Sequence, residues 1–182
     1  MKYSMSLVCM VLLTACGGNV LPKPKAMLHL EFPEHTYDRY STTCPYDFEK
    51  NTIAIPNMEK ACGVVLDYPE LKAAIYLTYK TVDQDLNTLL TDAQKLSYEH
   101  VIKADNIIEQ PFINPADKVY GMFYEVTGNA ASQSQFYVTD STRHFLTGSL
   151  YFYVKPNYDS IYPAAIYLQE DIRKIMESLK WK

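Results

Sequence analysis

Between residues 26 and 32 apolar side chains alternate with polar ones, Leu28, Leu30 and Phe32 against His29 and Glu31, the period of a strand with one wet face. Residues 46–49 read as a second, weaker strand near a sheet edge, because Pro45 opens it and cannot donate to a ladder. Residues 63–68 and 71–80 are apolar, β-branched runs separated by Pro69 and Glu70, and they predict a tight antiparallel hairpin. In its second arm Leu71, Ala73, Ile75, Leu77 and Tyr79 share one face. From Asp83 the period lengthens: Leu86, Leu89, Leu90, Ala93, Leu96, His100 and Val101 recur every three or four residues, which predicts a helix over 83–103 with Asp83 as its N-cap. A short strand follows at 106–109. Runs at 118–127, 132–139 and 144–154 are joined by Gly128-Asn129 and by Asp140-Ser141-Thr142-Arg143, both rich in turn formers, and predict a meander. A second helix carries Ile161, Ala165, Leu168, Ile172, Ile175, Met176 and Leu179, with Ser160 or Asp159 as its cap and Lys180 and Lys182 toward its end, as the helix dipole favours.

Strands, helix, strands and helix in that order predict an α+β fold, a mainly antiparallel sheet with two long helices packed on it. The run from Phe145 to Tyr153 followed by the long last helix is similar to the end of the PsbP/Mog1-type sandwich, a likeness of fold that carries no function with it.

The first sixteen residues follow a different logic. Lys2 supplies a small positive region, Leu7, Val8, Met10, Val11, Leu12 and Leu13 form an apolar run, and Thr14-Ala15 lead into Cys16. The run is a secretory core, far short of the roughly 20 apolar residues of a spanning helix. Leu13-Thr14-Ala15-Cys16 resembles the bacterial lipobox, in which a small residue precedes a cysteine that is acylated and becomes the mature N-terminus. The alternative is an ordinary signal peptide cut nearby, with Cys16 incidental. The chain thus divides into a signal peptide (1–15), a lipidated N-terminus and flexible tether (16–25), and a single globular α+β domain (26–182). Gly17-Gly18 and the Pro22-Lys23-Pro24-Lys25 alternation make that tether slack and then extended. Nine residues at about 3.3 Å each reach about 30 Å at most, so the body works close to a membrane. With no acidic cluster after Cys16, the periplasmic face is preferred.

Composition narrows the partners. The chain has 182 residues with 17 basic and 21 acidic side chains, an ordinary length for one domain. Its charge offers no basic field for phosphate, which argues against nucleic acid. Past the membrane the compartment is oxidising, and Cys44 and Cys62 remain once Cys9 has left with the signal and Cys16 is acylated. They are a disulfide candidate; two buried thiols or a redox pair are the alternatives, the last lacking Cys-x-x-Cys spacing.

Little in the sequence marks a reaction. His29, His35, His100 and His144 lack the convergent spacing of metal ligands, and neither a metal nor a cofactor is expected. Ser141 or Ser149 with His144 and Asp140 are the nearest approach to a nucleophilic site, but closeness in sequence does not build a triad, and they read as turn and strand polars. No pair among the acids is marked for glycosidic chemistry. An enzyme is therefore not expected, a cell-envelope hydrolase being the minority reading. One segment stands apart, residues 127–135, where small and amide side chains lie between strands rich in Tyr and Phe. Read blandly it is a hairpin turn and the start of a solvated strand. Read sharply, Asn129, Ser132, Gln133 and Gln135 with Tyr124 and Tyr137 form a partner-binding surface.

Several blocks together, Tyr76-Leu77-Thr78-Tyr79-Lys80, Asp92-Ala93-Gln94-Lys95-Leu96 with Tyr98-Glu99-His100, Tyr120-Gly121-Met122-Phe123-Tyr124-Glu125, the Gly128 to Tyr137 segment and Lys155-Pro156-Asn157-Tyr158-Asp159-Ser160, resemble the gliding-motility lipoprotein GldD family of Bacteroidota over essentially the whole mature chain. The resemblance implies an envelope lipoprotein required for gliding and linked to type IX secretion, whose partners are the lipid bilayer through Cys16 and other components of that machinery. It implies no reaction and no defined binding residues beyond Cys16. The second reading is a small-ligand or peptidoglycan-binding module, in which a sheet face and a helix create a pocket.

Overall fold

The period-2 runs become strands in the computed structural model, which describes residues 31–98, 104–154 and 157–182. In chain order these are β1 (Tyr37–Ser41), β2 (Tyr46–Asn51), β3 (Ile55–Met58), β4 (Val64–Tyr68), β5 (Ala73–Thr81), helix α1 (Leu86–Tyr98), β6 (Ala104–Asn114), β7 (Val119–Gly128), β8 (Ser134–Thr139), β9 (His144–Phe152), helix α2 (Tyr158–Ser178) and β10 (Lys180–Trp181). Two antiparallel sheets result, one ordered β1-β2-β10 and the other β3-β4-β5-β9-β8-β7-β6. The fold is α+β and dominated by sheet.

The larger sheet buries one face under α2. Ile75 stands opposite Leu150 and Leu77 opposite Gly148, and these positions meet Leu168, Ile172, Ile175 and Met176 of α2, all fully or almost fully buried. Burying each such side chain contributes about 1.5–3 kcal/mol. Tyr46 and Phe48 of β2 join the same core from the smaller sheet. Gly148 is needed there because a Cβ would come within 2.1 Å of the Phe136 ring. The opposite face of the larger sheet meets α1 through a small cluster of Leu89, Ala93 and Phe145.

The hairpin of β4 and β5 and the meander of β7, β8 and β9 lie where the alternation predicts them. Other elements differ for physical reasons. Residues 31–36 hold no strand, and the remainder of the predicted 26–32 run lies outside the described residues; the pairing strand is β1, whose Tyr37 faces Asn51 and whose Ser41 faces Asp47. Strand β2 is central in its sheet rather than an edge, because two short strands, one highly charged and one of two residues, close on either side of it. Helix α1 starts after Asp85, not Asp83: Gln84 takes a positive φ of 58°, and the Asp85 carbonyl accepts the Leu89 N–H at 3.0 Å. Its predicted continuation through His100 lies outside the described residues. The short strand expected at 106–109 is the middle of the eleven-residue edge strand β6, and β3, with Pro56 inside it, carries too little periodicity to be read from sequence.

Candidate functional site

Residues 127–135, the candidate partner surface, turn out to be mostly interior. Ser132, Gln133, Gln135 and Tyr124 are at most 5% exposed, so they cannot form a docking face. Strand parity explains the error, because both neighbouring faces of β8 are covered, one by α2 and one by α1, and no solvated side is left. Gln133 donates through Nε2 to the Ala130 carbonyl at 2.8 Å, and Ser132 donates to the Ser134 carbonyl at 3.2 Å. Gln135 Oε1 accepts from Ser97 of α1 at 3.1 Å. Tyr137, half-buried, stacks on Phe145 with ring centroids 5.8 Å apart, and Tyr124 lies 6.4 Å from it. Asn129 is exposed, yet it is engaged: its Oδ1 accepts the Tyr158 N–H at 2.9 Å and supplies the side-chain cap that Asn157 does not make for α2. The structure therefore splits the six candidates, with Tyr124, Gln135 and Tyr137 under α1, Asn129 at the start of α2, and Ser132 and Gln133 bonded within the turn that leads into β8.

A second polar centre was invisible to motif reading. Asp171 of α2 is fully buried and accepts hydrogen bonds from Asn51 Nδ2 at 3.0 Å and Tyr37 OH at 3.0 Å. His35 Nε2 lies 3.5 Å from the same carboxylate and 3.1 Å from the Tyr167 carbonyl, and its ring stacks on Tyr167 at 4.1 Å. The buried Tyr68 hydroxyl approaches this carboxylate without a well-directed hydrogen bond. Burial raises the Asp171 carboxyl above its ordinary value, against the pull of the Asn51 and Tyr37 donors. The centre is sealed by Phe32 on Tyr167 at 4.9 Å and joins β1, β2, α2 and residues 32–35. Its one sequence signal is a lone carboxylate between Leu168, Ile172 and Ile175 on the apolar stripe.

The residues closest to a nucleophilic arrangement do not assemble. Asp140 spends its carboxylate on the backbone N–H groups of Thr142, Arg143 and His144 at 2.7–3.0 Å. Burial works against its charge, but these donors outweigh it and hold the carboxyl at about 2. The His144 ring bonds Tyr79 OH at 2.8 Å and stacks on Trp181, while Ser149 stands at odd parity on the other face of β9. Burial lowers the imidazole and favours its neutral form. Cys44 and Cys62 are joined as a disulfide with Cα atoms 5.6 Å apart, linking the loop before β2 to the turn before β4. Among the described residues no group of three His, Cys, Asp or Glu could hold a metal ion.

Two concave sites flank the sheet. One of about 150 Å³ lies beside the start of α2, lined by Glu125, Gln133, Tyr158, Tyr162 and Gln169. The other, about 210 Å³, lies between α1 and strands β5 and β9, with Leu89, Leu96 and Phe145 as apolar walls and Thr78 and Thr147 as hydroxyl-bearing floor. The first carries two tyrosines, Tyr158 and Tyr162, whose rings meet edge to face at 5.3 Å; the lining of the second contains none.

No helix among the described residues is long and apolar enough to cross a membrane. No curated protein matches the chain. The family described as gliding motility lipoprotein GldD matches residues 17–181, from the residue after Cys16 to the closing strand, and the chain belongs to that family.

Proposed function

We propose that this lipoprotein serves gliding motility and type IX protein secretion from the periplasmic side of a membrane, held there by acylated Cys16 and engaging other components of the machinery through protein contacts. The observation that supports contact as the mode of action is the pair of strands that end the larger sheet. Ile55 and Met58 of β3 are 51% and 44% exposed, and Ile108 and Ile113 of β6 are 43% and 70% exposed. Large apolar side chains at a strand edge suit pairing with another chain. Two buried titratable groups, by contrast, are engaged by their own chain: Asp171 by Asn51 and Tyr37, and His144 through its Nδ1 by Tyr79. No reaction is assigned.

The test is photo-cross-linking in living cells from a benzophenone amino acid at position 113, 55 or 166. Covalent adducts of 113 or 55 with motility or secretion components are expected, with fewer from 166 on α2. If neither edge position yields an adduct while the protein is present at normal abundance, the contact reading is wrong.

A further inference from the structure

Strands β5 and β9 are interior strands of the larger sheet, paired on both sides with β4 and β8. Their backbone groups are committed, so the face beneath α1 offers a ligand side chains and no edge. Thr78 stands opposite Thr147 there, at the floor of the 210 Å³ cavity. Two residues further along each strand, about 6.6 Å away, Tyr76 stands opposite Ser149. Tyr76 is 39% exposed and meets Tyr151 edge to face at 5.8 Å. Tyr153, 58% exposed, donates to Asp67 Oδ1 at 3.0 Å. From Lys80 at the cavity to the Tyr151 position the floor runs about 20 Å at about 3.3 Å per residue.

We propose that this face is a binding groove for a glycan chain of N-acetylated amino sugars. An exposed tyrosine face whose edge is fixed by a second tyrosine stacks on the apolar face of a sugar ring, and the neighbouring Asp67 carboxylate accepts from ring hydroxyls. The cavity is smaller than the roughly 300–1,000 Å³ that encloses a whole drug-sized ligand, so it takes one side group of a longer molecule. Leu89, Leu96 and Phe145 suit an acetamido methyl, and the Thr78 and Thr147 hydroxyls its amide. An extended peptide would instead seek unpaired backbone groups at a sheet edge, which interior strands do not present. The groove lies away from the exposed edges of β3 and β6, and its argument does not depend on the contacts proposed there.

The experiment is calorimetric titration of the full-length lipoprotein in nonionic detergent with chitotetraose, and separately with a peptidoglycan stem pentapeptide. Chitotetraose is expected to bind. Tyr76→Ala should weaken it about tenfold, the size of one aromatic stacking contact, Tyr76→Phe should hold it within about twofold, and Thr78→Trp should abolish it by filling the cavity, all with melting temperatures near the parent's. Ile113→Ala on the far edge serves as the unaffected control. No binding of chitotetraose, unchanged affinity in folded Tyr76→Ala, or binding of the pentapeptide alone would each overturn the proposal.

Discussion

Asn129 caps a helix that begins 29 residues further along the chain, so its value is to α2 rather than to a partner. Asn129→Ala is expected to cost about 1 kcal/mol, as loss of an N-cap does, and Asn129→Asp far less; urea denaturation of the pair reads the difference. Asp171 makes a pH prediction. Its folded-state carboxyl is raised by burial above the unfolded value, so the folded protein holds this proton more tightly. The stabilisation from that proton is complete below the unfolded value and is lost as the pH climbs through the folded one. Measured against Asp171→Asn, the parent should therefore lose relative stability over that rise and then level off. Parallel curves for the two proteins would refute it. His144 titrates in the opposite sense, its lowered imidazole removing stability as the pH falls below about 6.5, and it cancels in the comparison because both proteins carry it.

Turns and ladders set the next scale. The carboxylate of Asp140 gathers three backbone N–H groups in the β8–β9 turn, and Asp140→Ala should cost about 2 kcal/mol, within the range for hydrogen bonds to a charged group. The parent should lose this contribution as the pH falls from the ordinary carboxylate range toward about 2, which acid denaturation of the two proteins would show. Gly121 makes a sharper case. A Cβ there would sit 1.9 Å from the Tyr137 carbonyl oxygen across the β7–β8 ladder, where only backbone movement could relieve it. Gly121→Ala is expected to destabilise by about 1–3 kcal/mol or more, seen as a lowered urea midpoint; an unchanged midpoint would mean that the ladder yields freely. Periodicity revealed the β4–β5 hairpin and the meander because each carries five or more alternating positions. It missed β1, which is short and charged, β3, which is interrupted by Pro56, and β10, which has two residues and pairs with β2 far away in sequence. The amide-rich segment misled for a related reason: polarity reports solvent only when one face of a strand is open, and β8 has none.

At the level of the whole molecule, the two sheets share the α2 core and are also stapled covalently. Cys44 precedes β2 and Cys62 precedes β4, 18 residues apart, and closing a loop of that length contributes about 3 kcal/mol. Replacing both cysteines by serine should lower stability by about that amount, checked by thermal unfolding with and without reductant; a double variant as stable as the parent would show that the sheets need no staple. The lone carboxylate on the stripe of α2 marked the Asp171 centre faintly in the sequence, but its partners Tyr37, Asn51 and His35 could be found only once β1 and β2 were seen to lie against that helix. The smaller sheet has one further property. Its third strand, β10, pairs Lys180 with Asp47 and Trp181 with Tyr46, and Lys182 reaches the carbonyl of Thr42 across 140 residues. Contacts this distant in sequence form late, after the loop between them has been closed. Strand β2 therefore gains its second ladder only from the last residues described, and removing 180–182 would leave Tyr46 and Asp47 without strand partners on that side.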